Sequence, residues 1–401
     1  MDSTSAAPVR LGIIGLGNMG TAHCKSLAKL PGLELAAVAD VDPDRVTRAA
    51  ERFGARGFTD PKALLRSGAS EAVLVATPHF DHVPLGVSAL QRGLHLLVEK
   101  PIAVHKADAQ KLLRAHLGRD AQVFAAMFNQ RTDPAHRALK ELIDGGALGE
   151  IRRIQWTITD WFRSQAYYDS GGWRATWAGE GGGVLLNQCP HQLDLWQWLF
   201  GMPATVHAFC QFGRFHDIEV EDSVTAVLGY ANGTQGVFTT TTGEAPGSNR
   251  LEIAADGARV VLDGAARTLE IDWNDVPVPQ AIAENPGFRK PGTRRETRHF
   301  GDDDGGQHET VLANFAAAIR HGAPLIAPGG EGIHSVELAN AMLLSAWRGK
   351  AVALPLSAPG YARQLARRKA DSRFRPESSD APVGGVVEDM SESFQSTRRR
   401  G

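Results

Sequence analysis

The sequence predicts an α/β protein built on two unlike sheets, and three observations predict it. Up to about residue 131, short apolar runs alternate with longer segments of helical period, the pattern of a parallel sheet covered by helices. Beyond residue 132, runs rich in Val, Thr, Ile and aromatic residues follow one another across turn signals, as antiparallel strands do. The 401 residues, 43% hydrophobic and 22% charged, hold enough apolar matter for at least two packed cores.

In chain order, the first part offers strands over 9–14, 33–40, 72–77, 95–99 and 123–129, each apolar enough to be buried on both faces. Helices are expected over 19–30, 42–53, 62–67, 82–92 and 106–117. Pro43 after Asp42 and Pro61 after Asp60 are start signals, because proline suits a first turn where its missing N–H costs nothing. The second part opens with a helix over 134–144 that ends at Gly145-Gly146. Strands follow over 151–161, 205–212, 223–230, 234–242, 250–255 and 259–262, with hairpin turns at Ala231-Asn232-Gly233 and Asp256-Gly257. Helices over 309–320 and 333–348 complete it. The expected organisation is a flexible N-terminus (1–8), a first domain (9–131), a second domain (132–356) and a disordered tail (357–401). The tail has too little aliphatic content to offset the entropy of ordering, and its runs Arg367-Arg368-Lys369 and Arg398-Arg399-Arg400 read as solubilising.

Charge and cysteine content exclude several function classes. Acidic residues number 45 against 43 Lys plus Arg, for a net charge of −2, so no basic field gathers nucleic acid. Cys24, Cys189 and Cys210 are odd in number and far apart, which points to a reducing compartment and no zinc ribbon. The first ten residues have no apolar core and no run of about 18 apolar residues occurs, so neither export nor membrane spanning is expected. The expectation is a cytoplasmic protein.

The first chemical signal is Gly15-Leu16-Gly17-Asn18-Met19-Gly20, which follows a strand and opens a helix. Gly15 permits a tight turn, Gly17 lets backbone approach a pyrophosphate, and Gly20 lets helix and strand pack closely, with free helix N–H groups facing the anion. This is the signature of a Rossmann dinucleotide-binding domain. Asp40 ends the second strand, where a carboxylate accepts hydrogen bonds from the adenosine ribose and repels a 2′-phosphate, so NAD is favoured over NADP. Capping the next helix is the other role open to Asp40, and Arg45 nearby leaves room for NADP.

Two further segments carry a resemblance: Ala76-Thr77-Pro78-His79-Phe80-Asp81-His82 with Glu99-Lys100-Pro101, and the stretch from Gly181-Gly182-Gly183 through Asn187, His191 and Asp194. With the N-terminal glycines, they make the sequence resemble the Gfo/Idh/MocA oxidoreductases over about residues 9–355. The resemblance implies a second α/β domain with an open, mixed, largely antiparallel sheet, NAD(P)-linked chemistry on a sugar or cyclic polyol, and a homo-oligomer, dimer or tetramer. It places Thr77, Pro78, His82, Glu99 and Lys100 beside the cofactor.

On chemistry alone, Lys100 ends a parallel strand, where open α/β sheets bind ligands, and its cation can stabilise a developing alkoxide. His191 is the candidate general base, since an unperturbed imidazole titrates at about 6.5. A hydrogen-bonded core or capping histidine is its alternative. The family commonly carries aspartate four residues before this histidine, whereas this chain has Asn187, which bears no charge but can hydrogen-bond a substrate hydroxyl. Asp194 is expected in a supporting, substrate-side role or a plain structural one. Trp161, Arg163, Tyr167, Trp173 and Arg174 form an aromatic, hydrogen-bonding stretch suited to a pyranose, or to packing within its own domain or against a neighbour. Asn129 and Arg131 either border the same cleft or hold a domain junction. His79, Asp81 and His82 lack further ligands nearby, and Asp302-Asp303-Asp304-Gly305-Gly306 lacks a calcium-loop pattern, so no metal is expected. The function expected is NAD-dependent oxidation of a ring hydroxyl of a sugar, glycoside or inositol to a ketone. The alternative is a catalytically silent NAD- or sugar-sensing regulator of the same fold.

Overall fold

The computed structural model describes residues 7–170 and 172–374. Six short strands form a parallel sheet: β1 (Val9–Ile14), β2 (Leu33–Ala39), β3 (Arg56–Phe58), β4 (Ala72–Val75), β5 (His95–Val98) and β6 (Phe124–Ala126), in the order β3-β2-β1-β4-β5-β6. The buried strands are almost wholly apolar, as burial on both faces requires, and β4 is buried at every residue. The order in which strands are added reverses between β1 and β4, which opens a crevice at their C-terminal ends. Helices α1 (Asn18–Leu27), α2 (Pro43–Phe53), α3 (Pro61–Arg66), α4 (His79–Gln91) and α5 (Lys106–His116) connect these strands. Asp42 and Asp60 cap α2 and α3, accepting N–H bonds from Asp44 (2.9 Å) and Lys62 (2.8 Å), with Pro43 and Pro61 in the first turn as expected.

After a 3-10 turn (Asn129–Thr132) and α6 (Pro134–Asp144), the chain builds the second sheet. Its elements are β7 (Ile151–Ile158), α7 (Gln165–Asp169), α8 (Pro190–Phe200), β8 (Thr205–Phe212), β9 (Glu221–Gly229), β10 (Gln235–Thr241), β11 (Asn249–Ala255), β12 (Ala258–Asp263), β13 (Thr268–Asn274), α9 (Val278–Glu284), β14 (Thr293–His299), α10 (Gln307–His321), α11 (Gly332–Arg348), β15 (Val352–Ala353) and α12 (Ala358–Ala370). The nine strands run β14-β13-β12-β11-β7-β10-β9-β8-β15, and every described pairing is antiparallel except β7 with β10. One face packs on α8 and α11, with Trp156 stacked on Trp196 at 6.5 Å between ring centroids. The other face leaves Phe209 66% and Val227 45% exposed.

Two expectations are corrected. The segment from 357 is not all tail: α12 buries Tyr361 and Leu365, and Tyr361 stacks on Trp347 at 5.3 Å. Arg368 lies 3.7 Å over Trp347 and Lys369 3.9 Å over Phe80, so part of the basic run packs on aromatic faces rather than merely solubilising. Two apolar anchors suffice because the helix docks on a preformed surface. Residues 375–401, with Arg398-Arg399-Arg400, and residues 1–6 lie outside the described residues. The second domain is also not continuous over 132–356, since α10 returns to the first sheet, where Val311, Leu312 and Phe315 join the core of Leu11 and Ile13. Among the described residues, no helix is long and apolar enough to cross a membrane.

Candidate functional site

The crevice beside β1 has the shape a dinucleotide needs. Gly15 adopts φ +96°, and a Cβ there would sit 2.6 Å from the Ala76 carbonyl oxygen, so only glycine fits the turn. A Cβ at Gly20 would meet the Gly15 carbonyl oxygen at 1.8 Å, whereas one at Gly17 would meet nothing within 4 Å. Close packing on one side and open space on the other is the cradle a pyrophosphate requires. Helix α1 starts beside it with no capping side chain and no acidic residue in its first turn, which suits an anion. Asn18 and Met19 open this helix, and Leu16 is buried beneath it. The Asp40 carboxylate is fixed by N–H bonds from Leu16 (2.6 Å) and Asp42 (3.0 Å), leaving lone pairs for ribose hydroxyls. The helix cap belongs to Asp42, and Arg45 pairs with Asp42 at 3.3 Å. Thr77 Oγ1, at the end of β4, is buried without a partner. These residues fit NAD, and the fixed carboxylate disfavours an added 2′-phosphate.

Lys100 meets the turn that leads into His191 across the two domains. Lys100, just past β5, donates from Nζ to the Asn187 backbone carbonyl at 2.9 Å, one turn before His191 at the start of α8. Burial lowers the Lys100 pKa, while the Glu99 and Glu180 carboxylates oppose the shift. Burial and the Lys100 charge push the His191 imidazole well below its ordinary range, which keeps it neutral and able to accept a proton. Its Nδ1 is buried without a hydrogen-bond partner, and its ring stands edge-on to Phe128 at 6.2 Å.

The Asn187 side chain joins this pair to the aromatic stretch. Its Nδ2 donates to Glu180 in a short hydrogen bond, and its Oδ1 accepts from the Tyr167 hydroxyl at 3.4 Å. Arg174 donates to the same hydroxyl at 3.1 Å and lies over the rings of Tyr167 and Trp173 at 4.9 and 4.8 Å. Arg163 lies over Trp161 and Tyr167, and Trp161 Nε1 is buried without a partner. The arrangement is a wall of aromatic faces and hydrogen-bonding groups running up to an ammonium and a neutral imidazole.

Comparison with known proteins agrees over both domains. Residues 9–127 match the oxidoreductase family with NAD-binding Rossmann fold, and residues 136–261 match the GFO/IDH/MocA C-terminal domain. The chain belongs to the Gfo/Idh/MocA family of oxidoreductases. It is 26% identical over 346 residues to inositol 2-dehydrogenase of Rhizobium meliloti, covering 84% of this chain and 96% of that enzyme. Inositol 2-dehydrogenase of Rubrobacter xylanophilus is 38% identical over a shorter stretch, 35% of this chain and 41% of the relative. The WlbA dehydrogenase of Bordetella pertussis, solved with NADH and UDP-GlcNAcA, superposes with a TM-score of 0.73 at 26% identity, covering 87% of this chain and all of that one. As in its family, the chain is an NAD-binding oxidoreductase.

This Gfo/Idh/MocA chain departs from several expectations for its site. Arg131 does not border the cleft. It is 2% exposed, donates to Asp194 at 2.7 and 2.6 Å and to Glu331 at 2.6 Å, and so ties the 3-10 turn to α8 and to the segment before α11. Asp194 is fully buried in the same pairing, and neither side chain is available to substrate. Asn129 lies on that turn, its Nδ2 bonded to Gln307 at 2.6 Å and its Oδ1 buried without a partner. His82 braces two loops, its ring nitrogens lying 2.7 Å from the Pro101 carbonyl and 2.8 Å from the Thr77 carbonyl. Glu99 turns inward to His23 at 2.6 Å and to the Lys100 N–H, and its neighbours hold its carboxyl well below the usual carboxylate range despite burial, which pushes it up. Pro78 precedes α4 as its cap residue. Sequence reasoning missed His23, which pairs with Glu99, His308, whose ring lies 5.5 Å from that of His23, and Glu180, which holds Asn187. Of these, only Glu180 carried a signal, a carboxylate directly before the glycine run.

Proposed function

We propose that this chain oxidises a ring hydroxyl of a sugar, glycoside or inositol to a ketone, with NAD as the hydride acceptor. The observation that carries the reading is the Lys100 ammonium bonded at 2.9 Å to the turn that presents the neutral His191. Bound NAD supplies the acceptor for the hydride that leaves the carbinol carbon. His191 takes the hydroxyl proton, and Lys100 orients that oxygen and stabilises the charge developing on it. Asn187 accepts a hydrogen bond from a neighbouring hydroxyl. Trp161, Arg163, Tyr167, Trp173 and Arg174 supply the stacking and polar surface for the ring, which extends far enough for a glycosyl substituent. Relatives named for inositol oxidation and one solved with a nucleotide sugar support the substrate class.

The test is reduced-nicotinamide absorbance with NAD and a panel of inositols, hexoses and glucosides, on the wild type and on Lys100→Ala. Turnover abolished by the substitution supports the enzyme. Cofactor binding without turnover across the whole panel favours the regulator, and the bound nucleotide is read spectrally to catch a cofactor that recycles in place. We also place a second copy of the chain on the open face of the nine-stranded sheet, where Phe209 and Val227 would otherwise face water. Light scattering should report a dimer or tetramer that Phe209→Asp dissociates.

A further inference from the structure

A partly buried ammonium is steadied by nearby carboxylates, and few candidates stand around Lys100. The titratable and charged groups around it are Glu99, Glu180, Arg163, His79, His191, His308 and Cys189. Of the two carboxylates, Glu99 acts on the ammonium the more strongly and is itself held by His23 and by the Lys100 N–H. Glu180 faces the substrate side. It is 1% exposed, and the charged or titratable groups near it are Arg174, Lys100, Glu221, Tyr168 and His79, whose Nδ1 lies 3.3 Å from the Glu180 carbonyl oxygen.

Each Glu180 oxygen has a defined job. Oε1 accepts from Asn187 Nδ2, and because a carboxylate can only accept, this contact fixes which way the amide faces. The amide oxygen must then point to the Tyr167 hydroxyl and the cleft, so Asn187 serves substrate as an acceptor. Oε2 accepts the Ala175 N–H at 2.6 Å and so steadies Ala175 at φ +51°, a left-handed conformation that non-glycine residues rarely adopt. That turn carries Arg174 to the Tyr167 hydroxyl. Glu180 itself rides on a closed turn, with its own N–H and that of Gly181 bonded to the Thr176 carbonyl at 2.9 and 3.0 Å.

We infer that Glu180 is the positioning residue of this cleft, supplying from outside position 187 the carboxylate that orients the Asn187 amide, whose backbone carbonyl holds Lys100. The inference rests on the dehydrogenase reading for its meaning but is tested separately from it. Glu180→Gln removes the charge at nearly constant shape. Asn187→Asp sets two carboxylates against each other. The double variant restores one hydrogen-bonded acid–amide pair with the charge on the opposite partner.

Each single variant should lose about 10- to 100-fold in kcat, the span expected when a hydrogen bond to a charged group is lost, and the double should recover most of it. The alkaline limb of the pH profile should move to lower pH in Glu180→Gln and return in the double. Acylation of Lys100 across a pH series, read by mass spectrometry, needs no turnover. Its midpoint should fall in Glu180→Gln and recover in the double. A wild type that turns over, with an unshifted midpoint and no rescue in the double, overturns the role of Glu180. So does recovery of Glu180→Gln by Ala175→Gly, because Glu180 would then only steady that turn. A wild type inactive on the whole panel but with the shifted midpoint supports the coupling to Lys100 and removes the dehydrogenase reading instead.

Discussion

Two charge clusters adjoin α8, one through Asp194 on the helix and one at the turn before it, and they are built in opposite ways. Around Arg131, the guanidinium donates to both Asp194 oxygens, to Glu331 and to the Ile326 carbonyl, and its faces lie against Phe128 and Trp198. Around Lys100, the ammonium has one bond to a backbone carbonyl among the described residues. Unpartnered buried polar atoms flank both clusters, Thr77 Oγ1, Gln188 Oε1 and His191 Nδ1 here and Asn129 Oδ1 and Gln192 Oε1 there, so the difference lies in the partners of the charges themselves. A closed cluster holds two domains together. An open one keeps hydrogen-bonding capacity for a ligand, since an ammonium has three donors and this one has a single partner among the described residues. The contrast teaches that burial of a charge says little about its role until its partners are accounted for.

The largest effect separating the clusters should come from His191→Ala, which is expected to lower kcat by about 10²- to 10⁴-fold, the usual worth of a positioned base, while thermal unfolding stays put. A steady-state assay beside a melting curve checks both halves. Arg131→Ala should do the reverse, costing about 3–5 kcal/mol of stability by stranding Asp194 uncompensated, with the loss read from the shift of the urea midpoint. If instead the Arg131 variant kept its stability and lost turnover, the comparison would be inverted.

The pH dependence sharpens the same comparison. Burial lowers the pKa of His79, His82, His136 and His191, so the unfolded chain binds more protons as acid is added. Stability should therefore fall as pH drops from about 6.5, the unfolded value, toward the lower folded ones. Activity should keep its neutral base to a lower pH than an ordinary histidine allows, and lose its ammonium below the ordinary lysine value of about 10.4. Denaturation and rate profiles measured in the same buffers check both. The smallest effect is reserved for Gly17→Ala. Its Cβ meets nothing within 4 Å, so melting should not change, yet NAD binding measured by calorimetry should weaken by several-fold, about the worth of one backbone hydrogen bond.

Much of the fold was legible because its signals are local. The glycine turn, the Asp-Pro helix starts and the apolar strands of the first sheet all declare themselves within a few residues. Strand β14 does not. Its Thr-Arg-Arg-Glu-Thr-Arg-His run has no apolar residue, and it pairs beside β13, where Arg295 reaches Asp272 at 2.7 Å. Helix α12 was hidden in the same way, since only the Trp347 surface turns its two apolar residues and its basic run into a packed element.

By itself, the sequence determined the two-sheet architecture and the cofactor crevice and singled out Lys100, His191 and Asn187 as candidates, because backbone geometry and side-chain chemistry are properties of short segments. Which charges close on each other and which face a ligand was decided only in three dimensions. Arg131 and Asp194 lie 63 residues apart in the chain, and Lys100 and Asn187 lie 87 apart. Glu180 stands seven residues before Asn187, but only the folded turn brings its carboxylate onto that amide. Coulomb and hydrogen-bond energies depend on distance through space, and distance along the chain does not specify it.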